Sequence, residues 1–174
     1  MNIVLIGYRG TGKTSVGMAL AEKLGRDFYD ADDYIEKKAG TSISDMVDRE
    51  GWAVFRAKEK EAVAELSALD GCVIAAGGGV VLDPENVEHM KKNGVVVLLA
   101  AATETIFERM KEDEKTEQQR PSLTGKDPYE EIEEVLAFRR PLYKKAMDFS
   151  VDTTSKSIDE VLEEIVQRLQ AQGE

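Results

Sequence analysis

The sequence has few of the residues that build disulfide frameworks, metal centres and acid-base relays. Among its 174 residues there is one cysteine and one histidine. A single cysteine excludes an intramolecular disulfide, and we expect a reducing cytoplasm as the setting. Cys72 lies in an apolar run, which favours a buried structural thiol over a nucleophile. His89 has no second histidine with which to hold a metal or relay a proton.

Positive charge is also scarce. The chain has 23 Lys and Arg against 34 Asp and Glu, which gives a formal net charge of -11. Such a surface repels nucleic acid and anionic membranes over most of its area, so we expect neither as a partner. An anionic small molecule would therefore have to be held by a local cluster of arginines.

Long apolar runs and internal repeats are absent from the sequence. No stretch approaches the length of a membrane-spanning helix, and the four-residue apolar run near the N-terminus is too short for a signal peptide. The composition is 42% hydrophobic and 33% charged, and 174 residues suffice for one good core but are few for two. We therefore expect one domain over residues 1–174. We also expect a monomer.

One motif near the N-terminus carries most of the functional information. A short apolar strand is followed by GYRGTGKT at residues 7–14, which matches G-x-x-x-x-G-K-[ST] at every fixed position, and then by helical spacing of apolar residues. Backbone N–H groups of such a loop surround phosphate oxygens, with Lys13 on the β- and γ-phosphates and the Thr14 hydroxyl on Mg²⁺. A turn that binds nothing is the alternative. The motif predicts ATP binding, through Gly10, Thr11, Gly12, Lys13, Thr14 and Ser15.

Carboxylates follow the next predicted strand, in FYDADD at residues 28–33. Ligands of parallel α/β sheets bind beyond the carboxyl ends of the strands, where these residues would lie. Of Asp30 and Asp32, one could approach the metal and the other a substrate hydroxyl. Asp32 or Asp33 could instead cap the following helix. The residues alone leave both roles open.

Two further patterns indicate a ligand site. Arg56 and Glu59, in FRAKE, are neighbours on one helical face, where the glutamate could orient the guanidinium; a surface ion pair is the plainer interpretation. A predicted third strand, residues 72–76, runs directly into Gly77, Gly78 and Gly79. We expect a ligand to approach bare backbone N–H groups there, in preference to a flexible loop.

The second half of the chain contains a candidate lid and a long helix. Residues 111–127 are polar, aperiodic and too long for a simple connection, so they are either disordered or a lid in which Arg120 closes over a transferring phosphoryl group. The helix, at about 128–147, carries Arg139 and Arg140 on different faces, so at most one enters a cleft. Alternating strands and helices predict an α/β fold, a doubly wound three-layer sandwich around a five-stranded parallel sheet.

These motifs occur together in one known family. The phosphate loop, FYDAD, FRAKE, AAGGG, RPSL and FRRPLY lie in the order and approximate spacing of the shikimate kinases, and the sequence resembles that family over nearly its whole length. The resemblance implies a P-loop fold of the nucleoside monophosphate kinase type, with a substrate-binding region at about 30–62 and a lid at about 111–127. It implies phosphorylation of the 3-hydroxyl of shikimate by ATP, with Mg²⁺ as cofactor, in aromatic amino acid biosynthesis.

The resemblance also implies roles for individual residues. Asp32 would contact the shikimate hydroxyls and orient or deprotonate the attacking one. The other substrate contacts would be Arg56 and Arg139 on the carboxylate, with Gly78 and Gly79 in the backbone turn against the substrate. Thr14 and Asp30 would hold the metal. Catalytic roles would fall to Lys13, Asp32 and Arg120, and the further ATP contacts to Arg109, Arg120, Thr153 and Ser155.

Two other functions stay open at the level of sequence. One is a different small-molecule kinase of the same fold, such as a gluconate kinase, and the other is a regulatory module that binds ATP without transferring phosphate. The arginine pair and the glycine triplet favour a carboxylated polyol as substrate. Ser122 departs from the family, which has leucine after the Arg-Pro pair, and this leaves the contacts of the lid open.

Overall fold

A parallel sheet forms the centre of the molecule, as predicted. The computed structural model describes residues 1–113 and 121–173, and within them five strands form one sheet. The spatial order β2-β3-β1-β4-β5 places β1 in the middle. The strands are β1 (Asn2–Ile6), β2 (Phe28–Asp30), β3 (Val73–Ala75), β4 (Gly94–Ala100) and β5 (Phe149–Asp152).

Helices cover both faces of this sheet. The helices of the described residues are α1 (Lys13–Leu24), α2 (Ala31–Ala39), α3 (Ile43–Glu50), α4 (Trp52–Ser67), α5 (Pro84–Lys92), α6 (Thr103–Glu112), α7 (Pro128–Ala146) and α8 (Ile158–Ala171), with a 3₁₀ turn at Val80–Leu82. Alternate residues of β1 enter different cores, Leu5 with α1 and α8, and Val4 with α4, α5 and α7. This arrangement is the predicted three-layer sandwich. None of these helices is long and apolar enough to cross a membrane.

The cap of α2 differs from the sequence prediction, and α7 continues through a proline. Helix α2 begins at Ala31, because Asp30, rather than Asp32 or Asp33, is its N-cap and accepts their backbone N–H groups at 3.0 and 3.2 Å. Pro141 lies inside α7 without ending it. Its ring is exposed, so it meets solvent instead of the core.

A separate apolar cluster joins α2, α3 and α4. Its fully buried members are Ile35, Ile43, Met46, Phe55 and Ala62. These helices cover the region predicted to bind the substrate, about 30–62, and their shared core fixes α4 relative to α2. The cluster therefore sets the position of the polar face that α4 presents to the cleft.

We expect the sheet core to respond to truncation as a close-packed interior. Leu20 of α1 is fully buried, whereas Met18, two residues earlier, is 57% exposed. Leu20→Ala should lower the free energy of unfolding by about 2–5 kcal/mol, since it leaves a cavity. Met18→Ala should change it by less than about 0.5 kcal/mol. Urea unfolding measures both, and equal losses would contradict this division of α1 into a buried and an exposed face.

Candidate active site

The predicted functional residues meet at one edge of the sheet. Strands β1, β2 and β3 are parallel neighbours, and the register pairs Ala75 with Leu5 on one side and with Asp30 on the other. Adjacent strands are about 4.8 Å apart, so the loops that leave them begin side by side. These loops line a cleft of about 560 Å³ that is open to solvent.

Glycines give the phosphate loop its shape. Gly7, Gly10 and Gly12 have φ angles of 144°, 71° and 97°, which side chains disfavour. A Cβ atom at Gly7 would also overlap the carbonyl oxygen of Leu99. Helix α1 starts at Gly12 without a side-chain cap, so its first N–H groups remain for an anion.

Lys13 and Thr14 begin α1 and lie over this loop. The Lys13 Nζ atom donates to the carbonyl oxygens of Gly7 and Tyr8 at 2.7 and 2.9 Å. The Thr14 hydroxyl donates to Oδ2 of Asp30 at 2.8 Å. Mg²⁺ in kinase sites binds one or two such oxygen donors together with phosphate and water. The Thr14–Asp30 pair fits such an ion; larger clusters of metal-ligating side chains are absent from the described residues.

Asp30 and Asp32 have different surroundings. The Asp30 carboxylate uses Oδ1 to cap α2 and Oδ2 to accept from Thr14, so it joins the second strand to the phosphate loop. Asp32 is not the cap, and its half-buried side chain lines the cleft. The prediction that Asp32 or Asp33 caps α2 is therefore wrong, because Asp30 is the N-cap.

The ion pair of α4 is not the surface feature that its spacing suggested. Arg56 donates to Oε1 of Glu59 at 2.8 Å, and Glu59 is only 2% exposed. The guanidinium carbon of Arg56 lies 5.4 and 5.1 Å from the ring centroids of Trp52 and Phe55. Burial raises the pKa of Glu59, while the charges of Arg56 and Arg139 oppose that shift. The plainer interpretation was wrong because the pair is packed into the cleft wall.

Two glycines of the triplet lie in close contact with side chains of α4. None of its three residues has a positive φ angle. A Cβ atom at Gly77 would lie 2.8 Å from Oε2 of Glu59, and one at Gly79 would overlap the guanidinium of Arg56. The α4 side chains thus press directly on the backbone of the turn. A side chain at Gly77 or Gly79 would displace the Glu59 carboxylate or the Arg56 guanidinium from its position.

Helix α7 supplies a second arginine to the same turn. Arg139 is 5% exposed, whereas Arg140 faces solvent, which confirms that only one of the two enters the cleft. A Cβ atom at Gly78 would lie 3.5 Å from an Nη atom of Arg139. One turn farther along α7, the buried Tyr143 hydroxyl donates to the Gly78 carbonyl at 2.6 Å, and burial raises the pKa of Tyr143 to about 12.

The other residues predicted to contact the nucleotide lie beside the phosphate loop. Arg109 donates to the Gly10 carbonyl at 3.1 Å and to the carbonyl of Thr153 at 2.7 Å. The buried Thr153 hydroxyl donates to Thr11 at 2.9 Å. Ser155 lies nearby in sequence and is exposed. Arg120 and the adjacent part of the predicted lid lie outside the described residues.

Sequence reasoning missed three residues that shape this site. Tyr143 lies four residues after Arg139, a spacing that puts both on one helical face and could have indicated it. Arg9 occupies a variable position of the phosphate-loop motif and donates to the Pro121 carbonyl at 2.9 Å. Glu131 is buried against residues 122–124, and its sequence context gives no signal of this.

Stability should depend on pH through Glu59. The pKa of Glu59 is raised in the folded chain, so as pH rises the carboxyl group loses its proton more readily in the unfolded chain. The free energy of unfolding therefore falls as pH rises above the usual glutamate range. Glu59→Gln keeps an acceptor for Arg56 without the buried charge. The free energy of unfolding of the variant relative to the native chain, measured with urea at about pH 5 and pH 8, should therefore be higher at pH 8. Glu61→Gln, at an exposed position of α4, is the control, and a pH-independent difference for Glu59→Gln would contradict the prediction.

Comparisons with known proteins identify the family of this chain. The sequence model of the shikimate kinase family matches residues 9–170. A shikimate kinase from Syntrophus aciditrophicus is 49% identical over 98% of this chain and 92% of its own length. The shikimate kinase from Symbiobacterium thermophilum is 42% identical over 100% of this chain and 99% of its own length.

Solved structures give the same result. The structure of a shikimate kinase from Acinetobacter baumannii in complex with shikimate superposes with a TM-score of 0.92 at 34% identity, covering 99% of this chain and 94% of that one. The structure from Aquifex aeolicus has a TM-score of 0.81 at 34% identity and covers 100% of both chains. The predicted P-loop fold of the nucleoside monophosphate kinase type and the predicted enzyme class, a phosphotransferase, are thereby confirmed. The chain belongs to the shikimate kinase family.

Proposed function

We propose that this chain transfers the γ-phosphoryl group of ATP to the 3-hydroxyl of shikimate, giving shikimate 3-phosphate and ADP in aromatic amino acid biosynthesis. The observation that carries the proposal is that one cleft holds a phosphate loop together with two arginines, Arg56 and Arg139, at a glycine turn. A nucleotide and a small carboxylic acid are the ligands that suit these two groups of residues.

The arginine pair suits a carboxylate in an otherwise acidic protein. Guanidinium groups bind carboxylates through paired, charge-assisted hydrogen bonds. Glu59 and the Trp52 and Phe55 rings restrain Arg56 before a ligand arrives. The Oε2 atom of Glu59 is buried without a hydrogen-bond partner among the described residues, which leaves one acceptor for a substrate hydroxyl.

The opposite part of the cleft suits the polyphosphate of ATP. Lys13 and the first N–H groups of α1 would bind the β- and γ-phosphates. Thr14 and Asp30 would hold Mg²⁺, directly or through water, and the ion when bound supplies neutralisation of phosphate charge. Arg109 would border the adenine, with Thr153 and Ser155. Gly10, Thr11, Gly12 and Ser15 would complete the nucleotide contacts.

Asp32 is the group we assign to the acceptor hydroxyl. Its carboxylate lines the cleft beside Gly77, where a Cβ atom would lie 3.0 Å from Oδ1. It would orient the 3-hydroxyl and accept its proton as the oxygen attacks the γ-phosphorus in line. Phosphoryl transfer needs little beyond such positioning and charge stabilisation. The lid, residues 111–127, would exclude water and bring Arg120 to the transferring group.

The first test is an assay of ADP release with Mg-ATP and shikimate, against gluconate and no-acceptor controls. Shikimate-dependent turnover is the expected result. Turnover with gluconate alone would mean that the cleft takes a different acid, as in a gluconate kinase. Binding of ATP with no transfer to either acceptor would indicate a regulatory module, and both of these outcomes would overturn the proposal.

Arg139→Ala should weaken the binding of shikimate without weakening that of ATP. The loss of a charge-assisted pair of hydrogen bonds corresponds to a rise of roughly 10- to 100-fold in KM for shikimate. The KM for ATP should stay within about threefold, because Arg139 lies on the acceptor side of the cleft. Arg140→Ala, at the exposed neighbouring position, is the matched control. Equal losses for shikimate and ATP would contradict the assignment.

Asp32→Asn should lower kcat far more than it changes ATP affinity. A general base typically contributes about 10²-fold or more, and the amide cannot accept the proton. Asp33→Asn alters an exposed neighbour in the same helical turn and should leave kcat nearly unchanged. Steady-state kinetics with both variants decide the matter, and an unchanged kcat for Asp32→Asn would remove this residue from the reaction.

We also propose that the enzyme acts as a cytoplasmic monomer. The one thiol, Cys72, is buried, and burial raises its pKa, which suits a protein that does not use disulfides. The formal charge of -11 disfavours association with nucleic acid or anionic membranes. Light scattering should give a mass near 19.3 kDa, and a mass of twice that value would contradict the monomer.

A further inference from the structure

One buried carboxylate outside the substrate contacts gathers an unusual number of donors. Oε1 of Glu131 accepts from the Ser122 hydroxyl at 2.8 Å, from the backbone N–H groups of Leu123 and Thr124 at 2.8 and 2.7 Å, and from the Thr124 hydroxyl at 3.1 Å. Glu131 is 5% exposed although Ser122 and Thr124 face solvent. The carboxylate thus holds three consecutive residues of a surface loop.

Capping of its own helix, α7, does not account for this carboxylate. Asp127 is the N-cap of α7 and accepts from the N–H groups of Tyr129 and Glu130. Burial would raise the pKa of Glu131, but the hydrogen bonds from Thr124, Ser122 and Leu123 lower it below its usual range. The group is therefore a buried anion that is stabilised by the loop.

The same loop is tied to the phosphate loop at its other end. Arg9 donates to the carbonyl oxygen of Pro121 at 2.9 Å, and Arg9 is 9% exposed. Between the two ties, Pro121 and Leu123 line the cleft that also contains Lys13 and Arg139. Residues 121–124 therefore form part of the wall of the cleft that holds both predicted substrate positions, and this wall is fixed to an element on each side.

We propose that Glu131 is a positioning residue for phosphoryl transfer, holding residues 122–124 so that this wall keeps the two substrates in register. The proposal rests on the proposed function. It also gives Ser122 a role: where the resemblance implies leucine, this chain has a hydroxyl that donates to the same carboxylate. In the sequence, this wall lies within the candidate lid, residues 111–127, directly after Arg120.

The test compares Glu131→Ala and Glu131→Gln with Glu130→Ala and Glu130→Gln at the exposed neighbouring position of α7. Glu131→Ala should lower kcat with Mg-ATP and shikimate about tenfold, while both KM values stay within about threefold. Glu131→Gln keeps an acceptor oxygen at the same reach and should recover most of that loss. The Glu130 variants should behave as the native enzyme. A native kcat for Glu131→Ala, or a uniform rise in KM instead, would overturn the proposal.

A second variant covers the case in which Glu131→Ala does not fold. Ser122→Ala combined with Thr124→Val removes two donors at exposed positions and should lower kcat about threefold in the same direction. An unchanged kcat for this double variant would overturn the proposal.

Amide hydrogen exchange separates this proposal from the function on which it rests. The amides of Leu123 and Thr124 should be protected in the native chain and should exchange at least tenfold faster in Glu131→Ala. If the native chain releases no ADP with shikimate, the proposed function fails, whatever the exchange shows. If turnover is present but these two amides exchange equally in both proteins, the positioning role of Glu131 fails alone.

Discussion

Parallel pairing of three short strands is the constraint on which the rest of this structure depends. The ends of β1, β2 and β3 lie side by side, because Ala75 pairs with both Leu5 and Asp30. The phosphate loop, the start of α2 and the glycine turn therefore leave the sheet at the same edge. Backbone pairing of the strands thus brings these loops together. Side-chain hydrogen bonds such as the one between Thr14 and Asp30 then join the loops, in the absence of any ligand.

The site also concentrates charge in a buried place, which is costly unless each charge is paired. Glu59 is paired with Arg56, and Glu131 is satisfied by the loop at residues 122–124. Such pairing keeps charged groups fixed in the absence of ligand. Fixed dipoles and charges stabilise a developing charge without reorganisation, which is the main contribution a protein makes to phosphoryl transfer.

Close packing gives a reason for the glycines of this turn that differs from the ligand approach suggested by the sequence. We expected a ligand to need the bare backbone, and the cleft does border it. The structure adds that the Arg56 and Glu59 side chains already lie against Gly79 and Gly77. The triplet thus brings the arginine cluster close to the backbone. Sequence reasoning could not separate these two uses of glycine, because each requires only that a Cβ atom be absent.

The sequence by itself determined the strand runs, the phosphate loop and the helical faces, because these depend on residues that are near one another along the chain. Strand runs, a fixed motif and the Arg139–Arg140 pair follow from periodicities of two and 3.6 residues. Tertiary structure alone decided that Glu59 is buried and that Glu131 holds a loop. Burial and multiple hydrogen bonds between distant segments arise only when the elements pack, so no local pattern of residues contains them.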